Sequence, residues 1–513
     1  VNHRDYSVTE VAAYYHPQLA YPSLIPYHPH IAYPEYPFGC RLINTSEQKI
    51  APYHAVREIL HLLKLDLSNY GTDRWNPLGE LINRGSRVVI KPNFVFHTNV
   101  RYGEVAIFSV ITHASVLRAI VDYTYLAVGD QGKISIVDAP IVSTNFEKIP
   151  AVTMCQEIAR LYKETKDFDI EILDLRPEVY ICNNKGVILK KLRAVGDPLG
   201  YTTIDLGEQS ELHGLSHYER MRVQNFDKGQ IREHHQAGMH EYCLPNTVLA
   251  AETFINVPKL KTHKQAGVTL SLKNLIGINP RKGWLPHHTI GSPADGGDEY
   301  LERSGLKAIE SRARDFFAET NPILWNMASV VGKVLLEARR IFYKAIHPKH
   351  YAEQYYDVSA GAWYGNDTIW RTILDINKIL LYADKRGCLQ TTQQREYLSI
   401  IDGVVGGEGR GPISPTPVRA GLLVAGTNPV AVDVIATTLM GFDYTKIKSV
   451  RNAFSAHGYP LADFTPDDIY CTSNDRCLCG SLHEIETITQ FKPPPGWKGH
   501  IEKGNTKDAS MDS

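Results

Sequence analysis

The densest chemistry in the chain is Asn256-Val257-Pro258-Lys259-Leu260-Lys261-Thr262-His263-Lys264. In an extended strand, alternation puts Lys259, Lys261 and His263 on one face. Three potential cations on one face repel one another, which makes sense if an anion sits between them. Lys273 and Asn274 follow within Gly267–Gly277, a segment that can be strand or helix. As a helix it sets Thr269 and Lys273 on one face while Leu272, Leu275 and Ile276 pack inward. Lysines acting as point charges, with Thr, Ser and Asn as neutral donors, suit a phosphate or a carboxylate. His263, held neutral by its lysine neighbours, suits proton transfer. Lys273 joins it as a catalytic candidate, and Lys91 and Asn93 of an earlier Lys-Pro-Asn triplet extend the anion-binding set.

The acidic counterpart is Asp402–Pro412, five of whose residues are glycine. Glycines permit close approach of a ligand to main-chain N–H groups. The stretch is neither a Walker loop nor a dinucleotide fingerprint, because no Gly-Lys-Ser/Thr follows and the spacing fits no strand–turn–helix of the second kind. Asp402 and Glu408 are acceptors that could hold Mg²⁺, orient a substrate hydroxyl, or satisfy nearby backbone donors. Asn428-Pro429 opens a helix as N-cap and first helical residue, and Gly441 stops it. Asp433, one turn inside, points into the site or favours the helix N-terminus. A second metal set is Cys471, Cys477, Cys479 and His483, whose Cys spacing is not that of a zinc ribbon or finger. Two histidine pairs, His234-His235 and His287-His288, flank the basic motif.

These residues need elements to position them. Short β-branched or aliphatic runs at Arg87–Ile90, Ile134–Val137, Thr253–Val257, Leu398–Ile401 and Gly421–Ala425 are separated by helix-sized segments, one of them His113–Leu126. This pattern predicts an α/β fold, a mostly parallel sheet or sheets flanked by helices. The residues after four of the runs are Lys91-Pro92-Asn93, Asp138, Pro258-Lys259 and Asp402-Gly403. Ligands of open α/β sheets bind outside the carboxyl ends of the strands, so the four ends are expected to share one cleft. The expected organisation is an extended Pro/Tyr/His arm (1–45), an α/β domain with the lysine pocket (46–297), a helical insertion or lid (298–384), an α/β part with the glycine-rich acidic loop (385–490) and a disordered tail (491–513). Within the insertion, Trp363-Tyr364-Gly365-Asn366-Asp367 is placed to close over the site.

The stretches Asn256–Gly277, Asp402–Pro412 and Gly426–Gly441, with Lys91-Pro92-Asn93 as an early element, resemble the family known as domain of unknown function 362. The resemblance implies an α/β fold and a shared pocket, without an agreed reaction. Some members are iron–sulfur proteins, but a cluster site of that kind needs a Cys-x-x-Cys-x-x-Cys run, and this chain has none.

With 55 Lys and Arg against 56 Asp and Glu, the net charge of −1 gives no argument for nucleic-acid binding. Eight cysteines in 513 residues are not a secreted disulfide framework and read as reduced thiols of a cytoplasmic protein. No window reaches the roughly 20 apolar residues of a spanning helix. The nearest, Ile323–Ile346, is interrupted by charge and reads as a helix packed on its own domain or, alternatively, one lying on a membrane surface. The expected function is an enzyme acting on a small anionic molecule, phosphorylated or carboxylated, with a divalent metal such as Mg²⁺ as a candidate cofactor. An iron–sulfur or other metal-binding redox protein is one alternative, and a non-catalytic binding protein at a membrane surface the other.

Overall fold

A computed structural model of the chain describes residues 9–39, 50–182, 188–223, 228–303, 360–504 and single positions between 305 and 311. Its centre is one twelve-stranded sheet. The strands are β1 (Thr9–Tyr15), β2 (Arg87–Pro92), β3 (Lys133–Asp138), β4 (Ile170–Asp174), β5 (Thr253–Val257), β6 (Lys259–His263), β7 (Gly267–Thr269), β8 (Glu396–Glu408), β9 (Thr416–Val418), β10 (Leu422–Gly426), β11 (Ile469–Ser473) and β12 (Gly480–Ser481). The order is β12-β11-β1-β10-β8-β5-β2-β3-β4, and β6 and β9 pair with the far half of β8. From β4 to β8 every pairing is parallel, whereas β10 runs antiparallel to both β8 and β1.

Alternation along the central strands sorts side chains into two cores. Val88 and Ile90 of β2, Ile255 of β5, and Leu398 and Ile400 of β8 face α1 (Pro52–Leu62), α2 (Ala114–Val128) and α3 (Cys155–Lys166). Val89, Phe254 and Ile401 face α5 (Ile369–Tyr382) and α6 (Pro429–Leu439) on the other side. Between α3 and α5 in sequence lies the one-turn helix α4 (Ser271–Asn274). Helices on both faces bury a mostly parallel sheet, as its continuous apolar runs require.

Four expected boundaries change. The amino-terminal arm is not only a covering strap, because β1 enters the sheet between β10 and β11 and buries five of its seven residues. The 46–297 and 385–490 parts share one sheet, so they are not separate units. The glycine-rich stretch through Glu408 is strand rather than loop. A Cβ at Gly403 would lie 2.7 Å from the Leu422 carbonyl and one at Gly407 2.6 Å from that of Ser109, so these glycines serve close backbone packing. The tail is packed as far as its described residues go: Phe491, Trp497 and Ile501 are buried, and the Trp497 indole donates to the Lys264 carbonyl. The Ile323–Ile346 segment and most of the helical insertion lie outside the described residues. Among those that are described, no helix is long and apolar enough to cross a membrane.

Candidate functional site

A cleft of about 1050 Å³ opens at the carboxyl ends of β2 and β3. Its polar wall carries Lys91, Asn93, Asp138, Lys261, His263, Thr269, Lys273, Asn274, Lys282, His287 and Arg410; Val95, Phe96, Ile141, Val142 and Tyr180 make an apolar wall. Two of the four expected strand ends therefore meet here, one through Lys91 and Asn93 and the other through Asp138, along with two residues of β6, whereas Lys259 and Asp402 do not line the cleft.

A relay of side-chain amides holds the lysines in place. Lys91 Nζ pairs with Asp138 Oδ1 at 2.9 Å and donates to the Pro92 carbonyl. Gly277 makes room for this pair, since a Cβ there would collide with both Asp138 Oδ1 and Lys91 Nζ. Lys261 Nζ donates to Asn93 Oδ1 at 3.0 Å and to the carbonyls of Val110 and Pro412 at 2.5 and 3.2 Å. Asn93 donates in turn to Asn274 Oδ1 at 2.8 Å, and Asn274 to Asn256 Oδ1 at 2.7 Å. Asn256, in the centre of β5, donates to the Ser271 carbonyl and to Tyr397 Oη. Each amide has both ends engaged, which fixes its orientation and that of the neighbouring ammonium group.

Lys273 differs from the other cleft lysines. It is 9% exposed, and among the described residues its Nζ has no hydrogen-bond or ion-pair partner. Burial, and then the Lys91 charge, bring its pKa down to about 7. Thr269 Oγ1, also buried, is likewise unpartnered. Burial and lysine neighbours push Lys261 well below the usual ammonium range, with Lys259 and Lys273 the largest charges acting on it. Lys282 is lowered by burial and donates to the Ile276 carbonyl at 2.8 Å.

Two of the cleft histidines, His263 and His287, hold complementary tautomers. His263 Nδ1 accepts from the backbone N–H groups of Gln265 and Ala266, both at 3.2 Å, so its proton resides on Nε2. His287 Nδ1 lies 2.7 Å from the Leu285 carbonyl and donates to it, leaving a lone pair on Nε2. Burial followed by the Lys273 charge lowers both pKa values, His263 well below its usual range and His287 to about 3. Both rings are neutral at pH 7.

α4 carries Lys273 and Asn274, and α6 holds it there. Asn428 Oδ1 caps α6 by accepting from Val430 and Ala431, and Pro429 occupies its first turn. Asp433 then accepts from the backbone N–H groups of Ser271 at 2.6 Å and Leu272 at 3.0 Å. Of the two expected roles for Asp433 the structure takes neither: it caps a different helix. Burial raises its pKa to about 7 against those two donors. Asp433→Ala should cost about 2–4 kcal/mol in urea denaturation, because two buried N–H groups lose their acceptor. It should also displace Lys273 from the cleft, detected as altered chemical shifts in α4.

Other candidate residues lie elsewhere. Lys259 is completely buried against Asp402, 2.9 Å away, and donates to Tyr21 Oη at 2.6 Å, outside the cleft. The reason is an irregular register: Lys259 sits opposite Asp402 on β8, whereas Lys261 sits opposite Gly407. Asp402 is further held by Tyr21 Oη and the His113 N–H, and Glu408 accepts from the Lys492 N–H and pairs with its side chain. Asp402, Glu408 and Asp433 therefore form three separate environments. Cys471 is buried, Cys477 exposed, and His483, 88% exposed, lies near Asp467. Among the described residues no three His, Cys, Asp or Glu side chains gather as a metal site. Trp363–Asp367 does not line the cleft. Trp363 donates to the Asp298 carbonyl, Tyr364 stacks on His500, and Asp367 pairs with Arg371 and Lys448. Lys282 and Arg410 are not among the expected residues; Arg410 lies within the glycine-rich Asp402–Pro412 stretch, and Lys282 has no pattern in its flanks that marks it. Asp138 and His287 were visible only by position, after a strand and in a histidine pair.

The family model described as domain of unknown function (DUF362) matches residues 194–438. Those residues belong to the DUF362 family. The matched span supplies Lys261, His263, Thr269, Lys273, Asn274, Lys282, His287 and Arg410, while Lys91, Asn93 and Asp138 come from before it. No curated protein matches the chain.

Proposed function

We propose that the DUF362 chain is an enzyme whose cleft binds a small anionic molecule bearing a phosphate or a carboxylate. The observation that carries this reading is the Lys273 ammonium, which has no partner among the described residues, beside Lys91, Lys261 and Lys282, with Asp138 the one acid among the described residues of the wall. An anion between these groups relieves their mutual repulsion and gives Lys273 Nζ and Thr269 Oγ1 the partners they lack. The volume exceeds what a bare phosphate fills, and the apolar wall suits the carbon skeleton of the same ligand. On the polar wall, His263 and His287 place a neutral N–H donor and a neutral acceptor.

Lys273 titrates near neutrality, so an anion that favours its charged form must bring a proton with it. Isothermal calorimetry with inorganic phosphate and with pyruvate at pH 8 should show binding together with proton uptake. The uptake appears as a heat that changes with the ionisation enthalpy of the buffer. Binding that leaves the buffer heat unchanged, or no binding at millimolar concentration, defeats the reading.

A further inference from the structure

We infer that the Lys273 amine is a covalent nucleophile, condensing with the carbonyl carbon of an anionic aldehyde or 2-oxo acid held in the cleft to form a Schiff base. This rests on the anion-binding reading above and adds the reactive group that the ligand must carry.

The argument begins with which lysine is available. The Nζ of Lys91 is committed to Asp138 and the Pro92 carbonyl. That of Lys261 is committed to three oxygens, and that of Lys282 to the Ile276 carbonyl. Lys273 alone among these four has no protein acceptor among the described residues, although it is nine-tenths buried and lines the cleft. An ammonium group kept for charge pairing is normally given an acceptor, because an unpaired buried charge is expensive. A buried amine beside another cation is instead how a lysine is made nucleophilic at neutral pH. A pKa of about 7 agrees with that geometry.

The neighbouring groups suit the proton movements. The nitrogen lone pair attacks the carbonyl carbon, and the C=O π pair moves to oxygen. That oxygen takes a proton and the nitrogen loses one, giving a carbinolamine. The nitrogen lone pair then forms C=N as the C–O bond breaks, and water leaves, assisted by a proton from the solvent-filled cleft. His263 Nε2–H is a neutral donor of the kind that polarises a carbonyl oxygen without giving up its proton. His287 Nε2 has a lone pair that accepts a hydrogen bond from the attacking nitrogen, whose released proton goes to solvent. Lys91 and Lys261 are left to hold the carboxylate or phosphate. The resulting iminium draws electrons from the adjacent carbon, which eases loss of a proton or a carboxylate there.

The test is reductive trapping of the full chain. Protein incubated with pyruvate or glyoxylate is reduced with cyanoborohydride, digested and mapped by mass spectrometry. The expected result is one reduced adduct, on the peptide containing Lys273, forming faster at pH 8 than at pH 6. Lys273→Arg should abolish the adduct. An adduct confined to exposed lysines, one on Lys91 or Lys261, one that persists in Lys273→Arg, or no adduct at all overturns the inference. Because mapping is done on the unmodified protein, the result stands even if the Arg variant fails to fold. Wild-type protein that binds phosphate but traps no carbonyl removes the covalent step alone. Wild-type protein that binds neither phosphate nor pyruvate removes the anion-binding reading beneath it.

Discussion

Lys259→Met should destabilise the protein by about 3–5 kcal/mol while leaving phosphate binding by the folded fraction unchanged. Lys259 and Asp402 are both completely buried, with Nζ and Oδ2 2.9 Å apart. Removing the ammonium leaves a carboxylate in the core with only the Tyr21 hydroxyl and the backbone N–H groups of His113 and Val404 to compensate it. Burial holds the Lys259 pKa below its usual value, and the Asp402 charge opposes that effect. Urea denaturation measures the loss. The double variant Lys259→Met with Asp402→Leu should recover part of it, since no unpaired charge remains. It should not recover all, because Tyr21 Oη and the His113 N–H still lose their acceptor. A single variant as stable as the parent would mean that Asp402 is protonated or solvated, contrary to the arrangement described.

Lys273→Met should have the opposite signature, with phosphate affinity lower by about 100-fold, or about 2.7 kcal/mol, and a more stable fold. The folded pKa of Lys273 is about 7, below the roughly 10.4 of an unfolded chain. Between those values the unfolded state holds a proton that the folded state has released, so this residue makes stability rise with pH through that window. Below pH 7 both states are protonated and the penalty is at full size. The variant should therefore gain most at pH 6, on the order of 2 kcal/mol, and progressively less as pH climbs toward 10. A lysine kept for structure would destabilise on removal at every pH, and melting curves at pH 6 and 9 separate the two cases.

The strands and part of the cleft were legible in the sequence for one physical reason: β-branched runs buried on both faces carry their signal locally. Arg87–Ile90, Thr253–Val257 and Leu398–Ile401 all fall inside observed strands, and the residues beyond Ile90 and Val137 line the cleft. Thr9–Tyr15 carried no such signal. It sits beside a Pro- and Tyr-rich stretch, and its partners are more than 400 positions away, at Leu422–Ala425 and Ile469–Ser473. Asp402–Glu408 misleads because glycine marks both loops and backbones pressed together, and only the neighbours Leu260, Leu422 and Ser109 distinguish them. Lys259 was grouped with Lys261 and His263 by strict alternation, which the shifted pairing against β8 interrupts. Lys273 stood out by its spacing from Thr269, but its lack of a partner is a property of three dimensions. His287 and Lys282 arrive on irregular backbone, where no periodicity points inward.

The amide relay from Asn93 through Asn274 to Asn256 crosses the boundary of the matched segment, and that limits how the cleft can be moved or borrowed. Residues 194–438 taken alone keep both neutral imidazoles and the reactive-amine candidate, yet lose the Asp138 carboxylate, the Lys91 ammonium and the strands on which both are mounted. Asn274 would then keep its bond to Asn256 but face solvent where Asn93 had been, its Oδ1 left without that donor. For this chain the transferable unit is the whole sheet, and grafting the family segment onto another scaffold would carry over the reagents without the vessel.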